Sequence, residues 1–201
     1  MKKKKPQLNK SENYKIILLG DTNVGKNTFF KKFIYNKDKF NYTSSITVDN
    51  ETQTLDYKNK KYYITLYDTA SQERFRSITK SYYNMADGFL LIFDITDEKS
   101  LLVVKNMIKD IKSYNRSNNF LILGNKDDLD NKISDDVINE ILGEYKHLLL
   151  KISAIKNINV KESIEKLVDI IENDNNKTNK MEYEDKNNLF DNPKLKKYLD
   201  F

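Results

Sequence analysis

The residues with the most specific chemistry are Gly20-Asp21-Thr22-Asn23-Val24-Gly25-Lys26-Asn27, which follow an apolar run over 14–19 and open a segment of helical spacing over 28–35. Strand, glycine-rich loop and helix in that order suit a polyphosphate. The glycines let the backbone curl so that its amides face the phosphates, the helix start adds positive potential, and a lysine at the Lys26 position reaches the β and γ oxygens. The pattern alone is a weak signal, but it is specific directly after an apolar strand in a chain with only 5 glycines. Its last position normally takes Ser or Thr, whose hydroxyl binds Mg²⁺. Here that position is Asn27, with Thr28 next to it.

Three further segments follow at the ends of apolar runs. Asp68-Thr69-Ala70-Ser71-Gln72-Glu73 offers a carboxylate at a strand end to hold a metal's water and a glutamine to orient an attacking water. In Asn125-Lys126-Asp127-Asp128, the Asp128 carboxylate is suited to take hydrogen bonds from both N1–H and N2–H₂ of guanine, a donor pair adenine lacks. Ser153-Ala154 closes another apolar run and is expected to offer a backbone N–H to the base oxygen. The acidic stretch 125–130 alone would read as a polar turn. Four motifs in order at strand ends point instead to a guanine nucleotide with Mg²⁺. His147, the one histidine, reads as a surface residue.

The elements that must position these loops are legible as alternating patterns. Short runs over 14–19, 62–67, 89–93, 120–123 and 148–152 are apolar on consecutive positions, as strands covered on both faces require. Helical spacing lies between them at 28–35, 100–114, 134–145 and 159–173. The pair 51–57 and 62–67, joined through Lys58-Asn59-Lys60, reads as a hairpin that adds one antiparallel edge strand. The expected fold class is α/β: a three-layer P-loop NTPase arrangement around a mostly parallel six-stranded sheet. Residues 1–12 are expected to be a basic, disordered start, 13–174 the folded domain, and 175–201 a flexible polar tail.

Composition removes several function classes. The chain has no Cys, so disulfides, thiolate metal sites, cysteine catalysis, prenylation and palmitoylation are not expected, and with Lys2 at position 2 neither is myristoylation. The net charge of +5 comes from 32 Lys and 3 Arg scattered among many Asn, which argues against a nucleic-acid reader that would spend Arg on bidentate contacts. No run approaches the ~18 apolar residues of a membrane span. The expectation is a cytoplasmic monomer without a lipid anchor, whose Lys2–Lys5 run makes at most weak peripheral contact with anionic endomembranes.

Over 13–174 the chain resembles the Ras superfamily of small GTPases, most closely the Rab family of membrane-traffic regulators. The segments 72–78 and 81–88 are similar to Rab switch II, Ile46-Thr47-Val48-Asp49 to switch I, and Phe93-Asp94-Ile95-Thr96-Asp97 and Gly124–Leu129 fit the same family. The resemblance implies a GTP-on, GDP-off switch whose loops reorganise around the γ-phosphate and Mg²⁺. It implies that Lys26 holds phosphate, that Ser45 replaces the family's Thr as the switch I metal ligand beside Asn27 and water-linked Asp68, that Gln72 positions water, and that Phe40 stacks on guanine. It also implies an exchange factor, a GTPase-activating protein supplying an arginine in trans, and effectors met through Tyr67 and Tyr82.

Several departures fall on the chemistry. Asn27 is larger than a hydroxyl and resembles the replacement that favours GDP or an empty site in related GTPases. Ser71 and Asn23 stand where the family has glycines, Ile155 where a lysine covers the base, and Asn50 where a switch I aromatic binds effectors. Two readings therefore stay open: a switch that slowly hydrolyses GTP, and a nucleotide-impaired or GDP-locked binding module with little turnover. A P-loop ATPase or kinase is disfavoured by Asp128 and Ser153-Ala154.

Overall fold

Consecutive apolar residues become strands here because both sheet faces are covered. The computed structural model describes residues 11–35, 49–68, 83–115 and 117–190. Its strands are β1 (Glu12–Leu19), β2 (Asp49–Tyr57), β3 (Lys60–Asp68), β4 (Gly88–Asp94), β5 (Phe120–Asn125) and β6 (Leu149–Lys151). Its helices are α1 (Lys26–Tyr35), α2 (Glu98–Tyr114), α3 (Asp135–Leu142) and α4 (Val160–Phe190), with a tight 3₁₀ segment at Gly143–Leu148. They form one six-stranded sheet in the order β2-β3-β1-β4-β5-β6, in which only β2 runs antiparallel to its neighbour. This is the mixed sheet that the sequence patterns predict.

Helices cover both faces. On one side Ile16, Leu18, Leu90 and Ile92 pack with Phe29 of α1 and Ile164, Leu167 and Val168 of α4. On the other, Ile17, Leu19, Leu91 and Phe93 pack with Leu101, Val104 and Ile108 of α2 and Ile138 of α3. Alternate residues of β1 and β4 thus serve opposite cores, and every residue of β4 is buried. Each large side chain so buried contributes roughly 1.5–3 kcal/mol.

Local signals fix the ends of the elements. Asp97 caps α2 by accepting from Lys99 N–H at 3.1 Å. Ser134 caps α3, whose first turn carries Asp135 and Asp136 against the positive helix end. Lys58 and Asn59 both take positive φ (48° and 61°), the conformation a two-residue hairpin turn needs to match strand twist. The hairpin and β1 are fastened to α4 by side chains: Tyr14, Tyr62 and Lys60 all donate to Glu172, at 3.0, 3.4 and 2.9 Å, and Tyr57 and Lys58 donate to Asp169 at 2.9 and 2.6 Å.

The observed elements differ from the sequence expectation at three ends. β1 begins at Glu12, inside the segment expected to be disordered, because it pairs with Tyr62 of β3 from that residue on. The helix expected to reach 145 stops at Leu142, where Gly143 at φ 53° turns the chain. Helix α4 continues to Phe190 instead of dissolving near Asp174. The reason is that 175–190 contains neither Gly nor Pro, so nothing breaks a helix already nucleated on the domain, and the next proline is Pro193. Among the described residues no helix is long and apolar enough to cross a membrane.

Candidate functional site

Register brings the chemistry to one edge of the sheet. Leu18 pairs with Asp68, Leu19 with Leu91, and Asp94 with Asn125, so β1, β3, β4 and β5 all end side by side. In a parallel sheet the loops leaving these carboxyl ends line the natural ligand crevice.

The first such loop is built by backbone constraint. Gly20 has φ 153°, and a Cβ there would stand 2.2 Å from Ile92 O in the neighbouring strand. Gly25 has φ 102°, and its Cβ would stand 2.3 Å from Asn125 Nδ2. Both positions therefore need glycine. Asn23 takes φ 58°, which asparagine tolerates better than other side chains. Asp21 accepts from Thr22 N–H at 2.6 Å, and Val24 anchors the loop in the core at 1% exposure. The Lys26 ammonium, on the first residue of α1, donates to Gly20 O at 2.8 Å and Asp21 O at 2.6 Å. The lysine holds the curled loop closed at the place where its charge can also meet an anion. Asn27 and Thr28 follow in the first turn of α1, both half-buried.

Asn125 joins this loop to the other two. Its Nδ2 donates to Val24 O at 2.7 Å and its Oδ1 accepts from Ala154 N–H at 2.9 Å, with the residue 2% exposed. Asp128 accepts from Ser153 Oγ at 2.5 Å, which orients the carboxylate and leaves it further lone pairs for an external donor pair. Ser153 N–H donates to Ile158 O at 3.2 Å in a small antiparallel bridge. In the Ser153-Ala154 pair, expected to offer a backbone N–H to a base oxygen, Ser153 N–H bonds Ile158 O and Ala154 N–H bonds Asn125 Oδ1 in this structure. The tight turn over 153–158 and the reach of Asn125 are the cause. Ile155, in that turn, is 54% exposed.

Lys126 has φ 70°, and its ammonium donates to Asp94 Oδ2 at 2.5 Å. Asp94 Oδ1 accepts from both the N–H and the hydroxyl of Thr96, each at 2.8 Å. Burial pushes the Asp94 carboxyl up, but the hydrogen bonds from Lys126 and Thr96 outweigh it and hold the group below the usual carboxylate range. Sequence reasoning placed Lys126 at the nucleotide and did not connect it to Asp94; no spacing rule links positions that meet only through the β4–β5 register.

Asp68 is 2% exposed at the end of β3, and Tyr67, the effector-facing candidate, is half-buried against the second core. Phe40, Ser45, Ser71, Gln72 and Tyr82 lie outside the described residues. Among the described residues no group of three or more His, Cys, Asp or Glu side chains forms a metal cage. A single strand-end carboxylate beside a phosphate loop instead fits Mg²⁺, which binds through one or two protein oxygens together with phosphate and water.

Against known proteins, the Ras family model matches residues 15–173. The chain is 37% identical over 163 residues to rat GTP-binding protein Rab-3D, a match that covers 79% of this chain and 74% of that protein. Human Ras-related protein Rab-3A is 36% identical over 79% of this chain and 73% of its own length, and bovine Rab-8B is 38% identical over 75% and 74%. The chain belongs to the Ras family, as a Rab-like small GTPase. Proteins of this family bind GTP and GDP with Mg²⁺ and hydrolyse GTP, and the phosphate-loop lysine and the guanine-type carboxylate lie within the matched span.

Proposed function

We propose that this chain is a guanine-nucleotide switch that binds GTP and GDP with Mg²⁺, hydrolyses GTP slowly and acts in vesicle traffic from the cytoplasm, peripherally on internal membranes. The observation that carries the reading is Asn125, a buried amide that ties the phosphate loop to the base loops through Val24 O and Ala154 N–H. A site so tied presents phosphate and base determinants at one fixed spacing. The likeness to Rab-3 and Rab-8 proteins supports the same reading.

In this function Gly20 to Gly25 cradle the phosphates, and Lys26 sets its charge against the β and γ oxygens. Asp128, oriented by Ser153, reads guanine, while Ile155 and Phe40 supply apolar contact to the base. Gln72 orients the attacking water. The metal's donors would be Asn27, Ser45 and, through water, Asp68. When bound, Mg²⁺ supplies charge neutralisation at the phosphate oxygens. The turnover is slow because an arginine to offset charge in the transition state is left to an activating partner. An exchange factor and effectors would engage the switch segments, including Tyr67 and Tyr82, on a monomer.

The test is the affinity of the purified, nucleotide-stripped chain for fluorescent GTP and GDP analogues, with and without Mg²⁺. Tight binding of both, strengthened by Mg²⁺ and followed by phosphate release from GTP, is the expected result. Binding of GDP alone, or weak binding indifferent to Mg²⁺, would sink the switch.

A further inference from the structure

The guanine motif has a support outside the motif itself. Lys126 lies between Asn125, which holds the phosphate loop, and the segment leading to Asp128, and it is the one residue of this motif with a left-handed backbone, at φ 70°. Such a conformation is strained for a lysine and persists only where its surroundings hold it. Asp94 supplies that hold. The carboxylate meets the Lys126 ammonium at 2.5 Å and is itself fixed by the two bonds from Thr96. Asp94 is also clamped from behind, since its N–H donates to Ser100 Oγ at 3.0 Å at the start of α2. Around the pair, Ile95 N–H donates to Asn125 O at 3.1 Å and Lys132 N–H to Ile95 O at 3.1 Å, so the whole loop from Asn125 to Lys132 wraps on the end of β4.

The pair is partly shielded, with side-chain exposures of 32% for Lys126 and 11% for Asp94, and it links two parallel strand ends instead of two surface chains. A shielded ion pair of this kind holds geometry more than an exposed one does. We propose that Asp94 is a positioning residue for guanine-nucleotide binding: it latches Lys126 in its left-handed conformation and so keeps Asn125 and Asp128 in the spacing a bound nucleotide needs. The proposal rests on the nucleotide-binding reading above and adds to it a residue outside the four nucleotide motifs. Loosening the latch speeds nucleotide release.

The experiment measures the dissociation rate of a fluorescent GDP analogue from the full chain as wild type, Asp94→Asn, Lys126→Met and the double variant, each checked by thermal melting. Asn is isosteric and keeps an oxygen for Thr96 while removing the charge that holds Lys126. Asp94→Asn is expected to release the analogue about five- to tenfold faster, the scale of one ordinary net hydrogen bond. In the Lys126→Met background the same change is expected to alter the rate less than twofold, because the residue through which Asp94 acts is gone. Asp94→Glu, which retains the charge, is expected to recover most of the wild-type lifetime, and Asp94→Ser replaces Asp94→Asn if the latter melts below assay temperature. A wild-type rate in Asp94→Asn overturns the proposal, as does equal acceleration in both backgrounds, which would mean a general loss of structure. Failure of the wild type to bind either nucleotide is a separate result: it overturns the nucleotide-binding reading and the latch together.

Discussion

Asn125→Ala is the sharpest test of how the site is held. The amide makes two buried bonds, to Val24 O at 2.7 Å and from Ala154 N–H at 2.9 Å, and the residue is 2% exposed. Each bond contributes about 1 kcal/mol net, and truncation leaves a carbonyl and an N–H with a desolvation penalty of about 1–3 kcal/mol each where water does not replace the amide. Partial water entry at a crevice puts the total near 2–4 kcal/mol. For a chain of this size that lowers the melting temperature by roughly 5–15 °C. Differential scanning of nucleotide-free protein reads it, with affinity for a fluorescent GDP analogue measured in parallel. Both are expected to fall, because the same amide sets the spacing between phosphate and base loops. Loss of affinity with an unchanged melting temperature would refute the reasoning, since it would make Asn125 a ligand contact and not the tie between loops.

The remaining predictions concern the metal position and the opposite end of the sheet. Asn27→Thr, which restores a hydroxyl at the head of α1, is expected to raise the Mg²⁺ dependence of GTP-analogue affinity by about tenfold or more, read by titration with and without the metal. An unchanged Mg²⁺ dependence would remove this position from the metal's ligands. Glu172→Gln is expected to cost roughly 1–2 kcal/mol in urea unfolding at neutral pH, from the weakened bonds of Tyr14 and Lys60. Burial pushes the Glu172 carboxyl up, but Lys60 and Tyr14 outweigh it and hold it below the usual value of 4.5, so its stabilisation is present above that value and is lost as pH falls through the folded pKa. Wild type and variant should therefore converge in acid once the pH lies below the folded pKa, and a gap that persists there would show that packing, not charge, is at stake.

Much of this was legible in the chain because the signals are local. Consecutive apolar residues over 89–93 mark a strand buried on both faces, and β4 is buried throughout. The curled loop after β1 is legible through Gly20 and Gly25, which sit where no Cβ fits. What the sequence hid depends on register. Asn125 reads as a base-binding residue, yet its amide spans from Val24 to Ala154, and Lys126 meets Asp94 only because β4 and β5 pair Asp94 with Asn125. The run beyond Asp174 misleads for another reason. Over 175–190 it contains neither Gly nor Pro to end the helix, which runs on to Phe190.

The two ends of β1 serve different tasks and are held by different chemistry. At its carboxyl end, the bonds that stabilise the loops are made by Lys26, Asn125 and Asp128, of which Lys26 and Asp128 are proposed to engage the nucleotide. At its amino end, Tyr14 joins Tyr62, Lys60 and Glu172 in contacts that involve no candidate site residue. Tyr14, which Glu172 holds, and Gly20, at the head of the loop that Asn125 holds, are six positions apart along extended chain, or about 20 Å. Substitutions that far apart with no shared partner normally add within about 0.5 kcal/mol. The double variant Asn125→Ala/Glu172→Gln is therefore expected to lose the sum of its single losses in urea unfolding, while its nucleotide affinity matches that of Asn125→Ala alone. A coupling energy above about 1 kcal/mol, or a further loss of affinity from Glu172→Gln, would mean that β1 transmits strain between the hairpin fastening and the nucleotide loops, and that the two ends work as one device.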